Sequence, residues 1–338
     1  MSAAQKTIVI VGATGNQGSS VAHTFLTLPN WHVRCVTRDP SSAAAQALVS
    51  LGAGVVQANL SDIDSLRTAF DGAHAIFLNT DFWGPYSAPA ANGQKSNLDS
   101  EAAFNMEVNQ GKNAAIVAAA LPTLERFIYS ALGPMKKHSK GKYPHSYHWD
   151  SKATIVEYIE NEEPALAKKT SYIYIGAFNT NPLFIPRINP ETGRCQFTTP
   201  LKKEQTMPMI DPRKSTGPFV QALIETEEAG VRLLAYDSLL KMGEILNVWS
   251  KVSGQPADYV EVTVEYMSQQ FGIPLEILDA VGYLPEYGYM GGVEGSIEPD
   301  QLKVKPQTTS FEDWLEKQDW ENILETRDKA IESALGQG

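Results

Sequence analysis

The chain has 338 residues, 43% hydrophobic and 20% charged, a balance that suits a large globular core and excludes wholesale disorder. Its formal net charge of −11 argues against broad electrostatic affinity for nucleic acid or an anionic membrane. Cys35 and Cys195 are too few for a disulfide framework or a metal cluster, and no apolar run, 114–121 included, is long enough to span a bilayer.

The first element is the β-branched run Lys6-Thr7-Ile8-Val9-Ile10-Val11, which predicts a buried strand. It breaks at once into Gly12-Ala13-Thr14-Gly15-Asn16-Gln17-Gly18, three glycines at the spacing G-x-x-G-x-x-G ahead of a helical pattern. Strand, glycine turn and helix in that order predict a dinucleotide site. Gly12 permits the sharp exit from the strand, Gly15 lets the backbone approach a pyrophosphate, and Gly18 lets the helix pack on the strand. The helix N-terminus then offers free N–H groups and partial positive charge to the phosphates. No basic-then-apolar leader precedes this strand, so the expectation is a soluble cytoplasmic protein with no membrane or nucleic-acid partner.

A helix follows over 19–28, stopped by Pro29-Asn30, and a strand over 31–37. Ser41 and Ser42 start a helix that runs through Leu51 to Gly52. Val55-Val56 marks a third strand ending near Asn59, and Ser61-Asp62 opens a helix with Leu66, Ala69 and Phe70 on one face. A fourth strand spans 73–79, and a polar loop, long for this pattern, spans 80–99. Next come a helix over 100–120, a strand over 126–130, and a loop carrying Lys136, Lys137, Lys140 and Lys142. A helix over 148–161 and a strand over 170–175 complete the alternation. This rhythm predicts an α/β fold, a doubly wound parallel sheet of Rossmann type with its ligand over the carboxyl ends of the strands. Beyond residue 176 prolines become dense, and helices at 219–225, 242–252, 266–272 and 310–315 alternate with short strands. The expected organisation is a nucleotide-binding domain over 1–176 and a smaller mixed α/β lobe over 177–338, interleaved with it and closing a substrate or partner site.

The residue that reads the adenosine ribose sits at the end of the second strand, about 20 residues past the glycines. Here that end reads Val36-Thr37-Arg38-Asp39-Pro40. Arg38 is placed to grip a 2′-phosphate bidentately, which favours NADP(H), whereas Asp39 leaves NAD(H) possible. Asn59 after the third strand is placed to edge the adenine, and Asn79-Thr80 after the fourth lies near the nicotinamide ribose. Ordinary turn residues would look the same at these positions.

Short-chain dehydrogenases place a serine at the end of the fifth strand and a Tyr-x-x-x-Lys pair on the next helix. Spacing four puts both side chains on one helical face. Ser130 stands in the serine's place and Lys152 in the lysine's, but His148 occupies the tyrosine position. Tyr147, one residue earlier, is turned about 100° away on a helix, and Tyr143 falls in the preceding loop. Histidine titrates in the range needed to donate a proton to a reduced group. The alternative is that His148 only caps the helix or bonds a ribose, with Lys152 as a cofactor clamp. His138 and His145 have no metal-ligand spacing around them and are expected to be exposed.

The glycine turn Gly-Ala-Thr-Gly-Asn-Gln-Gly, the strand end Val-Thr-Arg-Asp-Pro, Asn-Thr-Asp-Phe-Trp at 79–83, His-Trp-Asp-Ser-Lys at 148–152 and Ser-Phe-Glu-Asp-Trp-Leu at 310–315 together resemble the NmrA-like family. These are atypical short-chain dehydrogenases, and the resemblance covers about residues 6–316. It is nearest the branch of the human NADPH-sensing member, which also carries histidine at the tyrosine position. The resemblance implies that Gly12, Thr14, Gly15, Asn16, Gln17 and Gly18 surround the pyrophosphate, with Arg38 on the 2′-phosphate and Lys152 on the nicotinamide ribose. Phe82, Trp83 and Tyr86 are implied to line the space beyond the nicotinamide, where packing between the lobes is the competing explanation. The loops at 84–97 and 136–147 are less typical of the family. Two functions are implied. One is an NADPH-dependent reductase of a small carbonyl, alkene or imine, with catalytic residues Ser130, His148 and Lys152. The other is a redox sensor that acts through protein partners, as monomer or homodimer, in cytoplasm or nucleus.

Overall fold

The computed structural model describes residues 5–87 and 99–326. Lys6–Val11 (β1) lies inside the main sheet, and its side chains alternate between two cores: Ile8 and Ile10 enter one, Val9 and Val11 the other. Both faces are covered, so the strand reads as an unbroken apolar run. The chain continues through α1 (Asn16–Leu26), β2 (Trp31–Thr37), α2 (Ala43–Ser50), β3 (Gly54–Gln57), α3 (Ile63–Phe70), β4 (Ala75–Leu78) and α4 (Trp83–Ser87). It then forms α5 (Ser100–Ala119), β5 (Arg126–Ala131), α6 (Met135–His138), α7 (Tyr147–Glu162), α8 (Pro164–Ala167) and β6 (Thr170–Ile175). Ser42 and Asp62 cap α2 and α3 by accepting hydrogen bonds from first-turn amides, as their positions predict.

The remainder comprises β7 (Ala177–Phe178), β8 (Arg187–Ile188), β9 (Cys195–Thr199), β10 (Thr206–Ile210), α9 (Pro212–Glu225), β11 (Arg232–Ala235) and β12 (Ser238–Lys241). After these come α10 (Met242–Ser253), β13 (Ala257–Glu261), α11 (Val264–Phe271), α12 (Leu275–Tyr287), β14 (Ser296–Ile297) and α13 (Phe311–Leu315).

The main sheet has eight parallel strands in the order β14-β11-β6-β5-β4-β1-β2-β3. Strand order reverses between β1 and β4, which is where a crevice opens above the carboxyl ends of a doubly wound sheet. Two strands from beyond residue 176, β11 and β14, complete this sheet, and α9 packs against α1 on one of its faces. The α1–α9 crossing is close: a Cβ on Gly217 would lie 2.3 Å from the Ser20 carbonyl oxygen. On the other face α3, α5 and α7 cover the sheet around Phe70, Ala114 and Ile155. Two small sheets, β12-β10-β7 and β13-β9-β8, surround a separate core of Phe197, Met209, Trp249, Phe311 and Trp314.

The structure departs from the sequence expectation in four places. A short helix, α4, interrupts the 80–99 loop, and α6 forms among the lysines. Helix α9 begins at Pro212, capped by Asp211, well before the expected start at 219. Helix α12 was not anticipated, because Gly282 and Pro285 lie within it. Residues 88–97 of the atypical 84–97 loop lie outside the described residues. Among the described residues no helix is long and apolar enough to cross a membrane, no group of three metal-ligating side chains occurs, and both cysteines are free and buried.

Candidate functional site

The site forms where β1 and β4 end side by side. Gly12 leaves β1 with φ +78°, a conformation that L side chains rarely adopt, and its carbonyl oxygen accepts from the Gly15 N–H at 3.0 Å. A Cβ on Gly18 would stand 2.2 Å from that same carbonyl oxygen, so the α1 start can lie on the turn only because residue 18 is glycine. Gly15 is the N-cap of α1 and brings no side chain to its first-turn amides. The turn therefore presents backbone N–H groups at a helix N-terminus over the sheet's switch point, and the cradle fits a pyrophosphate. Thr14 is exposed at its rim. Gln17 is committed elsewhere: its side-chain oxygen accepts from the Ser130 hydroxyl at 2.7 Å.

At the end of β2, Arg38 is exposed, and its guanidinium makes no hydrogen bond or ion pair to a described residue. The Asp39 carboxylate accepts from both the backbone N–H and the hydroxyl of Ser41, in the turn before α2, and these bonds hold its pKa below the usual carboxylate range. Asn59 gives its side-chain oxygen to the Ser61 N–H at 2.9 Å, an Asx turn ahead of α3.

Past β4 the chain meets α7. The Lys152 ammonium donates to the Thr80 carbonyl and hydroxyl oxygens, both at 3.0 Å, and reaches Asn79 Oδ1 at 3.4 Å. Beneath it lies Glu107 of α5, with no exposed surface and an oxygen 3.1 Å from Lys152 Nζ. Glu107 also accepts from the hydroxyls of Thr80, at 2.6 Å, and Ser151. Thr80 spends its hydrogen on that carboxylate, so Tyr129, 3.2 Å away, donates to the Thr80 oxygen. Burial, and then the charge of Glu107, push Tyr129 ionisation well above the usual tyrosine range and keep it a donor. The buried charge of Glu107 is thus paired with Lys152, whose side chain is 12% exposed, and hydrogen-bonded by Thr80 and Ser151.

One turn back on α7 stands His148. Its ring centroid is 4.8 Å from that of Trp83 and 5.9 Å from that of Phe82, and Tyr86 stacks on Phe82 at 5.5 Å. Residues 79–83 thus receive Lys152 at one end and His148 at the other, and the i, i+4 spacing seats both on one stretch. Neither nearby tyrosine takes the histidine's place. The Tyr147 ring meets Phe104 edge-on at 5.9 Å, on the α7 face where a hollow of about 560 Å³ is lined by Lys136, Asp150, Thr154 and Glu157. Tyr143 donates to Glu286 at 2.6 Å, and burial pushes its pKa up to about 12. In the hollow, burial pushes Asp150 up to about 6.

Ser130 is buried, and its hydroxyl donates to Gln17 of α1. His145 is exposed, as expected, and also paired, with Nδ1 3.0 Å from Asp279. His148 is held by a residue that sequence reasoning missed, Glu276 of α12, whose Oε1 lies 2.7 Å from Nδ1. Glu107 and Glu276 were missed because their partners lie 45 and 128 residues away along the chain, where no spacing rule applies.

The profile of the NmrA-like family matches residues 4–315. The NmrA-like family domain-containing oxidoreductase ptmS of Penicillium ochrochloron is 42% identical over 106 residues, 30% of this chain and 32% of its own. That match spans about a third of the relative's length. The like-named oxidoreductase malD of Malbranchea aurantiaca is 24% identical across 96% of this chain and 99% of its own. Among solved structures, Nmra, a negative transcriptional regulator, in complex with NADP superposes with a TM-score of 0.65 at 20% identity, covering 98% of both chains. At that identity the likeness is one of fold.

Proposed function

Since the chain belongs to the NmrA-like family, we propose that it binds NADP(H) over the glycine turn and acts as an NADPH-dependent reductase of a small carbonyl, alkene or imine. In this reading Gly12, Thr14, Gly15, Asn16 and Gly18 hold the pyrophosphate, with Gln17 steadying the turn through Ser130. Arg38 holds the 2′-phosphate, and the diversion of Asp39 to Ser41 supports NADP(H) over NAD(H). Asn59 edges the adenine with its amide. Asn79, Thr80 and Lys152 hold the nicotinamide ribose. The bound dinucleotide supplies a hydride. Lys152, neutralised by Glu107, orients without donating a proton. His148 carries the proton, and Phe82, Trp83 and Tyr86 exclude water and offer an apolar wall.

The observation that carries this reading is the shared seat of His148 and Lys152 on residues 79–83 beside an aromatic cluster. The test is NADPH oxidation with a panel of carbonyls, alkenes and cyclic imines. Turnover with one class that falls roughly a hundredfold or more in His148→Ala supports the proposal; no turnover with any class, or full turnover in the variant, sinks it.

A second reading, a non-catalytic NADP(H) sensor acting through protein partners, is favoured by the engagement of Ser130 and Lys152 inside the protein. It is consistent with a regulator of this fold that binds NADP. Either reading suits the cytoplasm, and the second also the nucleus.

A further inference from the structure

Helix α12 belongs to the second half of the chain, yet it grips the start of α7 twice. Glu276 Oε1 accepts from the His148 backbone N–H at 2.8 Å and lies 2.7 Å from His148 Nδ1. One turn on, Asp279 Oδ2 accepts from the His145 N–H at 2.8 Å and lies 3.0 Å from His145 Nδ1. The two clamps share a geometry but not an environment. The His145 side chain is 50% exposed and outside the aromatic cluster; those of His148 and Glu276 are 14% and 2% exposed.

A carboxylate only accepts, so a contact of 2.7 Å requires the hydrogen on His148 Nδ1. Turning the ring over would leave the buried Glu276 carboxylate with the His148 backbone N–H alone, since its Oε2 has no hydrogen-bond partner among the described residues. Trp83 and Phe82 confine the same ring from the side. Nε2 is then the nitrogen left for chemistry, with a lone pair in the neutral ring and a hydrogen in the cation.

We propose that Glu276 is the positioning residue of this site: it fixes His148 with hydrogen on Nδ1, so that Nε2 delivers the proton. The inference rests on the reductase reading. A bound dinucleotide would supply the hydride to one carbon of the substrate's double bond, whose π electrons would then move to the other atom of that bond, oxygen, nitrogen or carbon. The Nε2–H bond breaks as the new O–H, N–H or C–H bond forms on that atom, leaving neutral imidazole with its hydrogen on Nδ1. The proton-delivering unit is thus assembled across the two halves of the chain.

The experiment uses the full chain with 15N-labelled imidazoles, the His148 signals being assigned with His148→Asn. Expected are the Nδ1–H tautomer of neutral His148 in the wild type, a shift towards Nε2–H in Glu276→Gln, and no change at His148 in Asp279→Asn. With a substrate from the panel, Glu276→Gln lowers kcat roughly ten- to hundredfold with KM within about twofold, whereas Asp279→Asn leaves kcat unchanged. An Nε2–H tautomer in the wild type overturns the proposal, as does full kcat in Glu276→Gln when His148→Ala is inactive. No turnover with any class of the panel overturns the reductase reading itself, and full turnover in His148→Ala removes the histidine from the reaction, which separates the two failures.

Discussion

Arg38 and Asp39 are neighbours with different engagements. The carboxylate folds back onto Ser41 while the guanidinium is left exposed at the end of β2. A bidentate arginine–phosphate contact contributes about 1.5–3 kcal/mol. Arg38→Ala is therefore expected to weaken NADP(H) binding roughly tenfold or more and NAD(H) binding little, measured by titration calorimetry with both; equal losses would remove Arg38 from the 2′-phosphate. Asp150 offers a pH signature on the other face of α7. Burial raises its folded pKa to about 6 from an ordinary value of 3.8. The folded state thus holds this proton after the unfolded chain has released it, and the associated stability is full below about pH 4 and lost as pH rises to about 6. Asp150→Asn keeps an acceptor for the Lys136 N–H. Its stability relative to wild type should climb across that window in urea titrations. A difference that stays flat with pH would contradict the assignment.

At the scale of elements, the α1–α9 contact is a place where one methyl group matters. Gly217 faces the Ser20 carbonyl oxygen and the Thr24 hydroxyl, both too near to admit a Cβ, and neither helix can retreat from a packed core. Gly217→Ala should cost about 1–3 kcal/mol in chemical denaturation; a neutral result would mean that the helices sit further apart. Such long-range approaches separate what was legible in the sequence from what was not. Strand 170–175 and the turn at 12–18 were readable because each depends on its own residues: apolar runs, glycines, caps. Helix α9 was half read, because Gly217-Pro218 looks like a break although Asp211-Pro212 already supplies a proper start. Helix α12 was hidden by Gly282 and Pro285, and with it went Glu276. The cofactor side of the site is built mostly from local motifs, whereas the partners of His148 and Lys152 come from helices that only tertiary packing brings near.

For the molecule as a whole, β11 and β14 matter most. They extend the main sheet beyond β6 with chain that lies past residue 176, while β7, β10 and β12 between and around them build a separate small sheet. The core of Trp249, Trp314 and Trp320 is thereby tied to the nucleotide sheet through strands on both sides. Tryptophan fluorescence, to which that core contributes three of the chain's six tryptophans, and far-UV circular dichroism are expected to trace one coincident unfolding transition. Two separated transitions would show that the halves are independent. The paired clamps between α7 and α12 have a consequence for anyone who would recombine this protein with a relative. His145 in the loop before α7 and His148 in its first turn meet Asp279 and Glu276 of α12, so a graft that exchanges the second half must carry an acid in the phase of Glu276 to hold His148. A donor half with a different surface but that acid would leave the His148 ring held as it is here; one without it would bring its new surface to a histidine no longer aimed.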